Sequence, residues 1–174
     1  MKISLKQFVI FAIIAISFSL TSCLTDTEET PSRTEQMEWA EIRLALASIQ
    51  EQGYTIDSTE LGIYYIVDTL GTGQLPVAGD TCYMKYTGFF LDGAIFDDSG
   101  FYPQNEGGVW KFIYKENNLI PGFDDGIGLM SKGSRIDMII PSELAYGPYG
   151  SYSVPPYTTL MFAAEMVDLR PLAE

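Results

Sequence analysis

The chain has no histidine among its 174 residues. That absence excludes serine–histidine and cysteine–histidine nucleophilic catalysis, and with them every histidine-ligated zinc centre. Cysteine is scarce as well: only Cys23 and Cys82 occur, so a framework of several disulfides is excluded. Positive charge is sparse, with 10 Lys and Arg against 23 Asp and Glu and a formal net charge of −13. So acidic a chain is a poor partner for nucleic acid or anionic lipid head groups. The most apolar run, Phe8 to Leu20, is 13 residues long, short of the roughly 20 that a membrane-spanning helix needs. What remains for chemistry is carboxylates, hydroxyls, backbone dipoles and apolar surface.

The ends carry signals of their own. Lys2 and Lys6 precede the apolar run, and small residues follow it, the pattern of a secretory signal peptide over residues 1–22. The run ends in Leu20-Thr21-Ser22-Cys23, which resembles the lipobox of bacterial lipoproteins. That resemblance implies cleavage before Cys23, lipidation of Cys23 with fatty chains such as palmitate, and attachment to a membrane through the N-terminal lipid. Several acyl chains anchor stably where one is marginal. Without Lys2 and Lys6 the remaining chain stands at −15, so lipid rather than electrostatics would hold it. The acidic, aperiodic residues 23–31 read as a tether. They also resemble the surface-export signals of some Bacteroidetes lipoproteins. The expected location is the cell envelope, on the periplasmic or surface side of the outer membrane.

About 150 residues are left for one domain with a sizeable core. Ser32-Arg33-Thr34-Glu35 fits a capping box, and Met37, Ala40, Ile42, Ala45, Leu46 and Ile49 recur at helical spacing before Gly53. The spacing predicts an amphipathic helix over residues 32–53. Its stripe needs a partner, either the domain that follows or a second protomer. From residue 54 to 174 the texture is short β-type runs separated by Gly, Pro and Asp. Strands are expected at Gly62–Asp68, Thr81–Phe89, Ala94–Asp97, Val109–Tyr114, Ser134–Ile140 and Thr158–Leu169, with a hairpin at Leu91-Asp92-Gly93 and a short helix over Phe123–Met130. The fold class is α+β, an antiparallel β-sheet wrapped around a short helix and preceded by an amphipathic helix. Cys82 is expected as a small buried residue of a strand.

Six short motifs then occur in order. They are Tyr86-Thr87-Gly88, Asp92-Gly93, Phe96-Asp97, Leu119-Ile120-Pro121-Gly122-Phe123, Ala145-Tyr146-Gly147 with Val154-Pro155-Pro156, and Leu160-Met161-Phe162. Together they resemble the FKBP-type peptidyl-prolyl cis-trans isomerases over more than 100 residues, from about Gly62 to Leu169. The resemblance implies an FKBP-like fold, proline-containing polypeptides as substrates, macrolide immunosuppressant-type compounds as ligands, and no cofactor or metal. It implies a pocket with Phe123 as the floor beneath the substrate proline and Trp110, Phe112, Tyr86 and Phe162 as walls, flanked by Phe96, Leu119 and Val154. The Ile120 amide would hold one substrate carbonyl, the Tyr146 hydroxyl would donate to another, and Asp97 would sit at the pocket edge. Residues 144–156, rich in Tyr, Pro and Gly, would be the loop over that pocket.

The chemistry needs no nucleophile. The barrier to turning an Xaa-Pro bond, about 18–20 kcal/mol, comes from amide resonance. Resonance is lost at the twisted transition state, so an apolar pocket that favours the twisted amide over the planar one catalyses by differential binding. Two departures from the family pattern stand out. The floor, usually Trp, is Phe123, and residues 98–108 form a longer segment without the arginine that often pairs with the aspartate. Other readings of the same residues remain open here. Strand aromatics are often core, and Asp97 can be a solvated turn carboxylate. The domain can also be a chain-binding holdase of this fold, or a glycan-binding lipoprotein with aromatic platforms.

Overall fold

The computed structural model describes residues 33–172. The signal at 1–22, Cys23, the tether and Ser32 lie outside the described residues. Among the described residues no helix is long and apolar enough to cross a membrane.

Helix α1 spans Glu35–Glu51. Its N-cap is Thr34, whose Oγ1 accepts the amide of Met37 at 3.3 Å. The expected capping box had placed the start two residues earlier. Thr34 wins because its backbone is extended while Glu35 is already helical. Strands β1 (Asp57–Ser58), β2 (Tyr64–Thr69), β3 (Thr81–Phe90), β4 (Ile95–Asp98) and β5 (Trp110–Ile113) follow. Helix α2 (Pro121–Ile127) comes next, then β6 (Arg135–Ile140) and β7 (Leu160–Arg170). All pairings are antiparallel, in the order β1-β2-β6-β7-β3-β4, with β5 sharing the β3 edge beside β4.

Because side chains alternate along a strand, the sheet has two faces with different partners. The inner face carries Cys82, Met84, Ile136, Met138, Ile140, Leu160, Phe162, Ala164 and Met166, and these pack with α2 into the main core. Helix α2 is short but sits tight. Pro121 occupies its first turn, where the missing N–H is no loss. A Cβ on Gly126 would lie only 2.1 Å from Met138 Sδ, so glycine at this position is what lets the helix reach the sheet.

The outer face is divided. Ile66, Phe89, Ile139 and Met161 form a second cluster with Ile49 of α1, and Leu46, Tyr54 and Tyr64 pack against it. The stripe of α1 therefore covers the domain's own sheet. The buried residues of α1 are Glu38, Ile42 and Ile49, whereas Met37 is exposed. Including Met37 in the stripe put the face a fraction of a turn off, because a buried glutamate is invisible to an apolar count. Farther along the same face, Lys85, Thr87, Asp98, Arg135, Asp137 and Glu165 line an open groove of about 600 Å³.

Candidate functional site

The candidate site lies on the inner face, where five rings from five elements meet. Tyr86 of β3 contacts Trp110 of β5, Phe123 of α2 and Phe162 of β7 edge-on, with centroids 5.8, 5.5 and 6.1 Å apart. Phe123 lies 4.5 Å from Phe162, and Phe162 in turn meets Phe96 of β4 at 5.5 Å. Edge-to-face packing at these distances is favourable beyond simple burial. Phe112 stacks on Trp110 at 4.1 Å and is buried, so it backs the cluster rather than fronting it. Phe123, Phe162 and Val154 are buried; Tyr86, Phe96, Trp110, Leu119 and Ile120 are partly exposed along the rim.

Two sequence details make this convergence possible. Gly88 has its α-carbon opposite Phe162 on one side and Asp97 on the other. A Cβ there would stand 2.7 Å from Phe96 Cζ and 3.1 Å from Phe162 Cε1, so any larger residue would push the rings apart. The second detail is a bulge. The register slips between Gly88 and Phe89, so that Gly88 pairs with Asp97 and Phe89 with Ile95, leaving Phe96 as the extra residue. Consecutive strand residues normally face opposite sides. The bulge turns both Phe96 and Asp97 toward the aromatic cluster.

Asp97 is not a solvated turn residue. Its Oδ2 accepts the Tyr86 hydroxyl at 3.0 Å, and its Oδ1 accepts the Tyr102 hydroxyl at 2.8 Å and the Asp98 amide at 2.8 Å. Burial first, and then the charge of Asp97, hold the Tyr86 hydroxyl well above the usual phenol range, so it stays a donor. Tyr102 is raised chiefly by its hydrogen bond to Asp97. Tyr102 thus occupies the role the sequence reading left vacant for want of an arginine. It comes from the long segment after β4, which has internal bracing. Asp98 Oδ1 accepts the Gly100 amide, Ser99 Oγ accepts the Tyr86 amide and donates to the Gly108 carbonyl, and Asn105 donates to the Ser99 carbonyl. Nothing local in the sequence marks Tyr102. The only available signal was a phenol five residues beyond Asp97 in an unexplained insertion.

Ile120 is the N-cap of α2, and its carbonyl accepts the amides of Phe123 and Asp124. Its own N–H stands outside the helical ladder at the rim beside the rings. The loop after β6 closes over the same side. Tyr157 N donates to the Gly147 carbonyl, while Ser151 and Val154 exchange backbone bonds. Tyr146 is partly exposed at the start of this loop, Val154 is buried beneath it, and Tyr149 and Tyr152 project into solvent at 91% and 109% relative exposure. Gly150 turns the loop with a φ of +65° where a Cβ would strike the Val154 carbonyl at 2.3 Å. Cys82 is buried without a disulfide, and burial, then Asp80, pushes its thiol up to about 12. It is a neutral core group and no nucleophile. Among the described residues no group of three or more His, Cys, Asp or Glu could hold a metal.

An antiparallel sheet around a short helix, with an aromatic cluster on its concave side, is the architecture of a known class. Residues 73–167 match the family described as FKBP-type peptidyl-prolyl cis-trans isomerase, so the chain belongs to that family. It is 36% identical over 122 residues to the FKBP-type peptidyl-prolyl cis-trans isomerase FkpA of Escherichia coli K12, covering 70% of this chain and 42% of that one. The crystal structure of E. coli FkpA superposes with a TM-score of 0.65 at 32% identity, covering 78% of this chain and 60% of that one. Outer membrane protein MIP of Legionella longbeachae is 30% identical over 113 residues, or 64% of this chain and 46% of its own length. The chain therefore spans about half the length of these curated relatives.

Proposed function

We propose that this chain is a peptidyl-prolyl cis-trans isomerase that acts on Xaa-Pro bonds of exported polypeptides at the cell envelope, held to a membrane by lipid on Cys23. The observation that carries the reading is the convergence of Tyr86, Phe96, Trp110, Phe123 and Phe162 around an Asp97 whose oxygens already accept two phenols. A proline ring seated on Phe123 would be walled by Tyr86, Trp110 and Phe162. The Ile120 N–H would hold a substrate carbonyl on one side, and the Tyr146 hydroxyl would donate to another from the loop. With Asp97 engaged by Tyr86 and Tyr102, its carboxylate is fixed in place and directed at the rim, where it would act on the twisting amide as a fixed charge. No proton is transferred. The apolar walls favour the less polar twisted amide, which is the differential binding that lowers the barrier. Macrolide-type compounds would compete for the same walls.

A second reading has one observation in its favour. Tyr149, Tyr152 and Phe101 expose large apolar surface around the site, a surface suited to holding extended chains whether or not the bond is turned. A protease-coupled isomerisation assay on an Xaa-Pro peptide separates the two. The isomerase reading expects turnover well above the uncatalysed rate, whereas chain holding without turnover supports the holdase. Membrane attachment is tested separately: Cys23→Ala is expected to move the protein to the soluble fraction and abolish fatty-acid labelling. A Cys23→Ala protein that stays membrane-bound and labelled sinks the anchor.

A further inference from the structure

A glutamate in an apolar helix face needs a reason. Glu38 is 2% exposed, and the residues that donate to its carboxylate, Ser142 and Thr159, lie off its own helix. Its Oε1 accepts the Ser142 amide at 2.6 Å and the Thr159 hydroxyl at 2.8 Å, and its Oε2 accepts the Ser142 hydroxyl at 2.5 Å. Ser142 is where the chain leaves β6 for the loop over the site, and Thr159 is where it returns to β7. A second tie lies one turn away. Arg33 donates to the Tyr157 carbonyl at 3.1 and 3.3 Å while pairing with Glu41 at 2.6 Å. Between the clamped ends lie Tyr146, four residues after Ser142, and Val154, five before Thr159.

We propose that Glu38 is a positioning residue for the isomerase site: its carboxylate staples both ends of the 142–159 loop to α1 and so fixes where Tyr146 and Val154 stand. The chemistry suits the task. A carboxylate accepts several bonds at once. Here it takes two hydroxyls and one amide from the two chain segments just beyond the last β6–β7 pair, Ile140 with Leu160. Removing it leaves the buried donors of Ser142 and Thr159 without an acceptor, and the loop loses its fixed base. Helix α1 lies outside the residues matched to the isomerase family, and its remaining buried residues, Ile42 and Ile49, touch no part of the loop base by hydrogen bonding. The role belongs to one side chain rather than to the helix as a slab of core.

The inference rests on the isomerase reading, and the experiment separates the two. On the full chain, kcat/KM for an Xaa-Pro tetrapeptide is measured at low temperature alongside hydrogen exchange of amides 144–157, for wild type, Glu38→Ala, Glu38→Gln and Ile49→Ala. Ile49→Ala weakens the same helix without touching the loop. Glu38→Ala is expected to lower kcat/KM five- to twentyfold, chiefly through KM, and to speed exchange of amides 144–157 at least tenfold while β3 and β7 stay protected. Glu38→Gln, which keeps one acceptor oxygen, should recover part of both. Ile49→Ala should lower the melting temperature yet keep kcat/KM within twofold. Unchanged exchange in Glu38→Ala, or an Ile49→Ala loss of activity equal to that of Glu38→Ala, overturns the proposal. If Glu38→Ala does not fold, Thr159→Val and Ser142→Ala decide: a two- to threefold loss with faster loop exchange supports the staple, and wild-type values in both overturn it. A wild type without turnover would sink the isomerase reading alone, because the exchange measurement still reads the staple.

Discussion

The two faces of the sheet are built from alternate residues of the same strands, yet they meet opposite demands. On the inner face, Tyr86, Gly88 and Phe162 belong to a water-poor aromatic enclosure, with one carboxylate fully partnered at its edge. One residue away along β3 and β6, Lys85, Thr87, Arg135 and Asp137 open onto a polar groove. Thr87 donates to Asp98 at 2.6 Å and Arg135 pairs with Glu165 at 3.1 Å, so the outer face settles its polarity locally. The difference teaches where function can reside. A site that works by favouring a less polar amide needs exclusion of water. The inner face provides it beside a partly exposed rim, whereas the apolar part of the outer face is covered by α1. The outer groove is open and of mixed charge, and the sheet separates it from the rings.

The largest expected effect tests that division directly. Phe123→Ala removes the ring at the centre of the enclosure, a kind of change that costs about 3–5 kcal/mol in a core. Part of that falls on the transition state, so kcat/KM for an Xaa-Pro peptide should drop by one to two orders of magnitude, at roughly 1.4 kcal/mol per tenfold. A fully active Phe123→Ala protein would erase the contrast between the faces.

Asp137 offers a sharper contrast, because it titrates where the enzyme would work. Burial, then Asp68, pushes its carboxyl up to about 7. Unfolded, it ionises near 3.9, so the folded chain holds the extra proton between about pH 4 and 7 and loses stability as pH rises through that window. The neighbouring Lys85 and Arg135 line the same groove, with Arg135 engaged by Glu165. Asp137→Asn should therefore leave stability unchanged near pH 4 and raise it at pH 8, by about 1–2 kcal/mol for a group facing an open groove. Chemical denaturation at the two pH values checks this. Activity of the wild type should stay flat from pH 6 to 8 all the same, since the titrating group is on the wrong face. A bell-shaped profile centred on 7 that Asp137→Asn abolishes would couple the faces.

Tyr102→Phe is a smaller probe. It removes one phenol donor from Asp97 and should cost two- to tenfold in kcat/KM, in line with about 0.5–1.5 kcal/mol for a hydrogen bond. Tyr86→Phe on the same assay tells whether the two donors share the load. The smallest effect is reserved for Lys85→Ala, which should change activity by less than twofold and stability by within about 0.5 kcal/mol. A large loss there would place substrate contacts on the outer face.

Much of this arrangement was legible beforehand. The strands of the sheet stood out because Gly, Pro and Asp punctuate runs of β-branched and aromatic residues, and the observed bounds differ from the expected ones by one or two positions for most of them. Tyr86, Trp110, Phe123, Phe162 and Asp97, which the resemblance grouped, adjoin one another in the fold. What escaped has a common cause: it depends on contacts distant in sequence. The two-residue β1 exists only through its pairing with β2. Glu38 carried no signal in the sequence because its partners lie 104 and 121 residues away. Tyr102 gained meaning only when its segment folded back on Asp97.

Those separations also order the events of folding. A chain emerging N-terminus first makes α1 long before Ser142 and Thr159 exist to receive Glu38. Contacts that close such spans form late, because the entropy of bringing distant residues together must be overcome first. Sheet and aromatic cluster close only when β7 inserts between β6 and β3, and the loop base closes when the helix made first docks against that same last segment. A truncated or stalled chain that stops short of β7 would lack Phe162 and the strand that joins β6 to β3, so rings and loop base would be lost together.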